Sequence, residues 1–200
     1  GVHPSVVMCR GYYGRSVLAA WDWRNGKLSS RWVFDSKDGE NPYSGQGNHN
    51  LTVADVDNDG NDEIVYGSMV VDDNGEGLFS TGLRHGDALH VGDIDTERPG
   101  LEVFGVHEIE DNSTGPGVAV FDARTGEILF TGSVNRDVGR GVAGDIFPSN
   151  PGAEMWWSGS AGLFSMRGER IGDPPSSTNF LIWWDGDLSR ELLDRNYVDK

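Results

Sequence analysis

Positive charge is scarce in this chain. Its 200 residues carry 16 Lys and Arg against 32 Asp and Glu, a formal net charge of -16. Nucleic-acid binding needs a basic surface to displace counterions from phosphates, so the composition argues against that partner class. Cysteine is nearly missing. Cys9 is the single copy, which excludes a disulfide within the chain, and its apolar setting VVMCR predicts a small buried residue. No run of about 18 apolar residues exists, so no helix of the sequence can span a bilayer. Neither an initiator Met nor a signal peptide is present, and the chain opens inside a predicted strand. The expectation is an excised piece of a larger protein, with no targeting signal from which to read localisation. Helical periodicity is almost wanting, and the short segment Ser189–Leu193 is the one predicted helix. There is also no phosphate loop, no Ser nucleophile elbow and no Cys–His pair placed for catalysis.

What remains is a turn-rich β pattern. The chain has 29 Gly and 36% hydrophobic residues. Short apolar runs alternate with Gly, Asp, Asn and Pro, and predict strands at Val17–Trp23, Arg31–Phe34, Glu63–Val71, Leu101–His107, Val118–Asp122, Ala153–Trp157 and Phe180–Trp184. Self-comparison finds one motif three times: VADVDNDGNDEIVYG, VGDIDTERPGLEVFG and AGDIFPSNPGAEMWW. Their anchors Asp55, Asp93 and Asp145 lie 38 and 52 residues apart. That bracket holds the roughly 40–50 residues of a four-stranded propeller blade. The fold class is therefore all-β, read as about three or four blades of a β-propeller. A propeller must close its ring, and about 4–8 blades do so, which again points to a partial domain spanning 1–200. An open β-sandwich with three similar hairpins is the competing architecture.

The first repeat carries DVDNDGNDE. Asp55, Asp57 and Asp59 recur at every second position, Gly60 permits a sharp turn, and Glu63 closes the loop. Calcium takes six to eight oxygens, and alternate carboxylates plus the Asn61 carbonyl on a tight loop can supply them. A solvated acidic turn would leave these charges repelling one another. The second loop keeps Asp93, Asp95 and Glu102, a second calcium candidate. The third keeps only Asp145 and Glu154, whose acids can instead accept backbone hydrogen bonds at a turn. Aligning the anchors places His49, Asp87 and Gly139 at equivalent positions, with Arg140 next to the last. On adjacent blades these would converge at one mouth of the channel. His85 lies two residues before Asp87, and His107 and Glu108 follow the Leu101 strand. Two His with carboxylates can hold a metal, although separated histidines are more often surface or turn residues. The seven Trp, at 21, 23, 32, 156, 157, 183 and 184, fall in or near strands, where core packing is the expected use for most.

The segment GNHNLTVADVDNDGNDEIVYGSMVVDDNGEGLFSTGLRHGDALHVGDIDTERPGLEVFGVHE resembles the rhamnogalacturonan lyases of polysaccharide lyase family 11. RGYYGRSVLAAWDW, FDARTGEILF, VGRGVAGDI and STNFLIWWDGDLSRELL fit the same family, so the resemblance covers nearly the whole chain. It implies an extracellular, secreted eight-bladed propeller holding several calcium ions, of which this chain is a central part. It implies an enzyme that cleaves the backbone of pectic rhamnogalacturonan I by β-elimination. It assigns His49, His85, Asp87 and Glu108 to an active-site ion and Arg140 to substrate binding. The Asp55–Glu63 loop would then be structural, and His49 would belong to a different site. The family's proposed lysine base should lie beyond Lys200, since no lysine stands between Lys37 and Lys200. The isolated piece is therefore expected to be inactive. A non-catalytic, calcium-rigidified module that binds acidic glycans or a protein partner is the alternative. Adhesion-type propeller repeats share the loop but have no need of NHN and HGDALH.

Overall fold

The computed structural model describes residues 3–37, 39, 41–109, 113–194 and 197–199. Among these there are strands and turns and no helix. Five antiparallel sheets follow one another along the chain. The first joins β1 (Val6–Arg10), β2 (Val17–Arg24) and β3 (Lys27–Asp35). The second is a meander of β4 (Thr52–Ala54), β5 (Glu63–Tyr66), β6 (Met69–Val71) and β7 (Gly77–Ser80). The third runs through β8 (Ala88–Gly92), β9 (Glu102–Val106), β10 (Pro116–Asp122) and β11 (Ile128–Val134). The fourth holds β12 (Gly141–Gly144), β13 (Glu154–Trp157), β14 (Leu163–Ser165) and β15 (Arg170–Gly172). The last joins β16 (Phe180–Ile182), β17 (Glu191–Asp194) and β18 (Tyr197–Asp199).

Side chains alternate across each strand, and this period of two distributes them between neighbours. Ile64 and Tyr66 pack with Leu18 and Phe34 towards the first sheet. Val65 turns the other way, into a core with Val103, Ala119 and Phe121 of the third. Phe104 and Val106 meet Met155 and Trp157 of the fourth. Trp156 faces Leu192 of the last. The three inner sheets are thus buried on both faces, which is why EIVY and EMWW are buried throughout. Each fully buried large apolar side chain contributes roughly 1.5–3 kcal/mol, so these four interfaces supply most of the drive to fold. The first strands β4, β8, β12 and β16 touch in succession, which draws one edge of every inner sheet towards the same side.

Four sequence expectations need correction. The run Glu63–Val71 is two strands, not one. Gly67 breaks it at φ 69°, where an added Cβ would lie 2.3 Å from the Gln46 carbonyl oxygen. Ser189–Leu193 is not helical; β17 starts at Glu191, whose carboxylate is held by the Trp184 N–H at 2.8 Å. Cys9 is exposed rather than buried, because β1 is the edge strand of the first sheet. The reading of about three or four blades falls short of five sheets, because the first and last sheets lack the motif that marks the middle three. Trp156 and Trp157 serve the cores, whereas Trp23, Trp183 and Trp184 are exposed.

Candidate functional site

Two backbone segments meet just before β4 and β8. Asn48 and Gly86 form a parallel bridge, and Gly86 N–H donates to the Gly47 carbonyl at 3.3 Å. Both glycines are required by space. A Cβ on Gly47 would meet Tyr12 at 2.7 Å, and one on Gly86 would meet the Val106 carbonyl oxygen at 2.0 Å. A third segment joins through the Glu108 N–H, which donates to the His85 carbonyl at 3.0 Å. These close approaches bring His49, His85, Asp87 and Glu108 together. One ligand atom of each lies within 4.8 Å of all the others. His49 Nε2 is 3.2 Å from Asp87 Oδ1, and His85 Nε2 is 3.7 Å from Glu108 Oε1.

The donor set suits a cation. His85 Nδ1 sits 2.8 Å from the Gly47 carbonyl, a contact that requires the N–H there and leaves the Nε2 lone pair directed at the carboxylates. Two residues that spacing did not single out fix the rings. Tyr12 stacks on His85 at 4.8 Å and tilts against His49 at 4.4 Å. Tyr13 lies 4.3 Å from His85 and donates its hydroxyl to Glu108 Oε1 at 3.3 Å. Both tyrosines come from the β1–β2 connection, and RGYYGR is their only trace in the sequence. His107 stands behind the cluster, buried, with Nδ1 at 3.5 Å from the Ser68 hydroxyl, and burial holds it down to about 4. It is a neutral spacer rather than a member of the cluster.

Beside the cluster opens a cleft of about 460 Å³, lined by His49, Asp87, His90, Arg140, Asn179 and Phe180 among others. Arg140 is mostly exposed, with NH1 3.9 Å from Asp87 Oδ2 and hydrogen-bonded to the Gly139 carbonyl. Its guanidinium is therefore within reach of the cluster and still open to an anion in the cleft.

The acidic loops lie elsewhere. Asp55, Asp57 and Glu63 bring one oxygen each within 4.8 Å of one another. Asp59 and Asn61 sit in the same turn, with the Asp59 N–H donating to Asp55 and the Asn61 N–H to Asp59. In the second loop protein cations meet the acids. Arg167 binds Asp95 through two nitrogens at 3.1 Å and holds its carboxyl below the usual range, while Arg98 faces Glu102 at 3.6 Å. Asp93 stays at the mouth of a separate cavity with Arg190. The third loop uses its glutamate as a turn acceptor: Glu154 takes the Ile146 N–H at 3.0 Å and the Asn150 side chain at 2.7 Å. A fourth loop, missed in the sequence, gathers Asp185, Asp187 and Glu191. Its signal was present as DGDLSRE, obscured by the helix expectation.

The chain matches the model of rhamnogalacturonan lyase family 11, C-terminal domain, over residues 1–200. It is 56% identical over 202 residues to rhamnogalacturonan endolyase YesW of Bacillus subtilis, covering 100% of this chain and 32% of that one. It is 57% identical over 207 residues to rhamnogalacturonan exolyase YesX of the same organism, covering 98% and 33%. The solved structure of YesW superposes with a TM-score of 0.90, and that of the Bacillus licheniformis rhamnogalacturonan lyase PL11 likewise with 0.90. Each covers 98% of this chain and 33% of the other. The chain thus spans about a third of the length of the relatives it matches.

Proposed function

The chain belongs to rhamnogalacturonan lyase family 11, and from that premise we propose that it forms part of the catalytic β-propeller of a secreted, calcium-dependent lyase acting on pectic rhamnogalacturonan I. In this reading the five sheets are successive blades, and their first strands face a central channel. The observation that carries the reading is the convergence of His49, His85, Asp87 and Glu108 beside Arg140 and an open cleft.

The reaction breaks the bond at O4 of galacturonate by removing the C5 proton, leaving a double bond and adding no water. That proton is weakly acidic, and negative charge grows on the neighbouring carboxylate as it leaves. A calcium ion bound by the four residues would neutralise that carboxylate. Arg140 offers the second, planar donor for the same group. Tyr12 and Tyr13 keep both imidazoles in register, so the site is formed before substrate arrives. The base must approach C5 within about 3 Å. No lysine lines the cleft among the described residues; in this reading the base is supplied from outside these 200 residues. That same observation favours the second reading, a module that binds acidic glycans without cleaving them.

The test uses the full-length protein with rhamnogalacturonan I, following ultraviolet absorbance of the unsaturated uronate. Activity that vanishes with chelator and in Arg140→Ala supports the lyase reading. Binding without any absorbance change in the full-length protein supports the module instead.

A further inference from the structure

The residue before His85 is bent against its own preference. Arg84 has φ 80°, in the left-handed region where the Cβ of an L-residue crowds the backbone. Glycine adopts that conformation freely, but an arginine stays there only where its surroundings hold it. Two buried polar side chains do so, one on each backbone group. The Arg84 N–H donates to Gln46 Oε1 at 3.0 Å, and the Arg84 carbonyl accepts the Ser68 hydroxyl at 2.7 Å. Both partners are themselves tied down. The Gln46 amide donates to the Ser44 carbonyl at 3.3 Å. Ser68, in the turn between β5 and β6, donates its N–H to the Gln46 carbonyl at 2.8 Å, and its hydroxyl lies 3.5 Å from His107 Nδ1. Burying an amide and a hydroxyl is unfavourable unless each is hydrogen-bonded, and here the bonds converge on one strained residue.

These contacts fall on the segments that carry the cluster. Gln46 stands three residues before His49, Arg84 directly before His85, and His107 directly before Glu108. The bend at Arg84 sets the direction in which the chain leaves it, and with that the place of the His85 ring. Nδ1 of that ring meets the Gly47 carbonyl at 2.8 Å, and the His85 carbonyl receives the Glu108 N–H at 3.0 Å. A right-handed Arg84 would give up the bonds to Gln46 and Ser68. It would also swing His85 Nε2 away from the Glu108 carboxylate, which it faces at 3.7 Å.

We propose that Gln46 and Ser68 are positioning residues for the cluster, a role that rests on the cluster being a calcium site and not on which reaction it serves. Together they hold Arg84 in its left-handed bend, and through it they fix His85 where a bound cation needs it. Neither belongs to the cluster itself. Without them the ion would have to impose the bend as it binds, and the strain would subtract from its affinity. The Asp55–Glu63 loop, at the opposite end of β5, should be unaffected.

The test is a calorimetric titration of the chelator-treated full-length protein with calcium, in which the cluster's step is the one that His49→Ala removes. Ser68→Ala and Gln46→Leu are each compared with wild type, and again in an Arg84→Gly background. Glycine takes the bend at no steric cost, so that background needs no clamp. The expected result is a tenfold or greater weakening of the cluster's step by either change alone, and less than threefold in the Arg84→Gly background. Residues that merely fill space would lower the melting temperature alike in both backgrounds and leave calcium affinity unmoved. Unchanged affinity in both single variants, or an equal loss in both backgrounds, overturns the proposal. If one variant does not fold, the other is read in its place. Should both fail to fold, Ser68→Cys, a weaker donor of similar shape, is read by the same criteria. A titration that His49→Ala leaves identical to wild type overturns the calcium reading of the cluster, and this role with it.

Discussion

His49 and His85 are neighbours in space with different exposure, and that decides which one tests the site. The His85 side chain is 5% exposed and packed between tyrosines, so its removal also opens a cavity. The His49 side chain is 42% exposed and touches the cluster chiefly through Nε2. His49→Ala should therefore shift stability by no more than about 0.5 kcal/mol, as for surface positions. The same change should lower lyase activity of the full-length protein by more than tenfold. Unaltered activity would remove His49 from the site. His90 reports on pH instead. Burial first and the charge of Arg190 second hold it down to about 4, from 6.5, against a backbone contact to Gly141 that raises it. Asp93, Asp145 and Arg190 line the cavity on one side of it, and His49, Asp87 and Arg140 the cleft on the other. Because the folded state binds this proton less well, stability from His90 is full above 6.5 and is lost as pH falls towards 4. His90→Gln should narrow the gap between melting temperatures at pH 7 and pH 5. An equal gap in the two proteins would refute that assignment. The Asp anchors place His49 and Asp87 at one position of the repeat, but the full set with His85 and Glu108 is legible only through the family resemblance. Tyr12 and Tyr13 were not legible, since they arrive from a different sheet and follow no spacing rule.

At the scale of elements, each repeat solves the same problem: a buried glutamate heads the second strand and needs its charge met. Glu102 is almost wholly buried, and Arg98 at 30% exposure links it to Asp122. Removing one member of a buried pair strands the other, while exposure of Arg98 reduces the cost. Arg98→Ala should destabilise the fold by roughly 1–2 kcal/mol. Arg15→Ala removes a well-formed pair with Asp35, but on an open surface, and should leave the melt unchanged. Equal effects of the two substitutions in denaturant melts would show that exposure does not decide. The sequence shows the repeat clearly where Asp and Glu frame an apolar strand. It fails where the physics is nonlocal. Gly67 breaks Glu63–Val71 because of a carbonyl from residue 46, and Glu191 is extended because it clamps Trp184. The second loop illustrates the limit. Its acids match the calcium pattern, yet Arg167 reaches one of them, Asp95, and the neighbouring Glu97 from 70 residues away or more.

On the scale of the whole molecule, the chain is a row of sheets whose inner members are covered and whose end members are not. Val6 and Met8 of β1 are 57% and 62% exposed, and Phe180, Trp183 and Trp184 near the other end are 63–64% exposed. Apolar surface of this kind marks contacts with further protein, and the relatives are three times as long. The chemistry divides in the same manner. β-Elimination needs a cation or donor at the uronate carboxylate and a base at C5, held together in one geometry. Under the proposed reading, this chain presents the first part in Arg140 and the four-residue cluster. For the second, the proposed reading commits His49 and His85 as ligands, whose imidazoles then have no lone pair left to accept a proton, and His107 is sealed from the cleft. The isolated 200 residues should accordingly produce no unsaturated uronate from rhamnogalacturonan I, while under the proposed reading the full-length protein should. Both are incubated with the same polymer and calcium, and absorbance is followed over time. Activity in the short chain comparable to the long one would place the base within these residues, and would turn His49 or His85 from a ligand into the group that takes the proton.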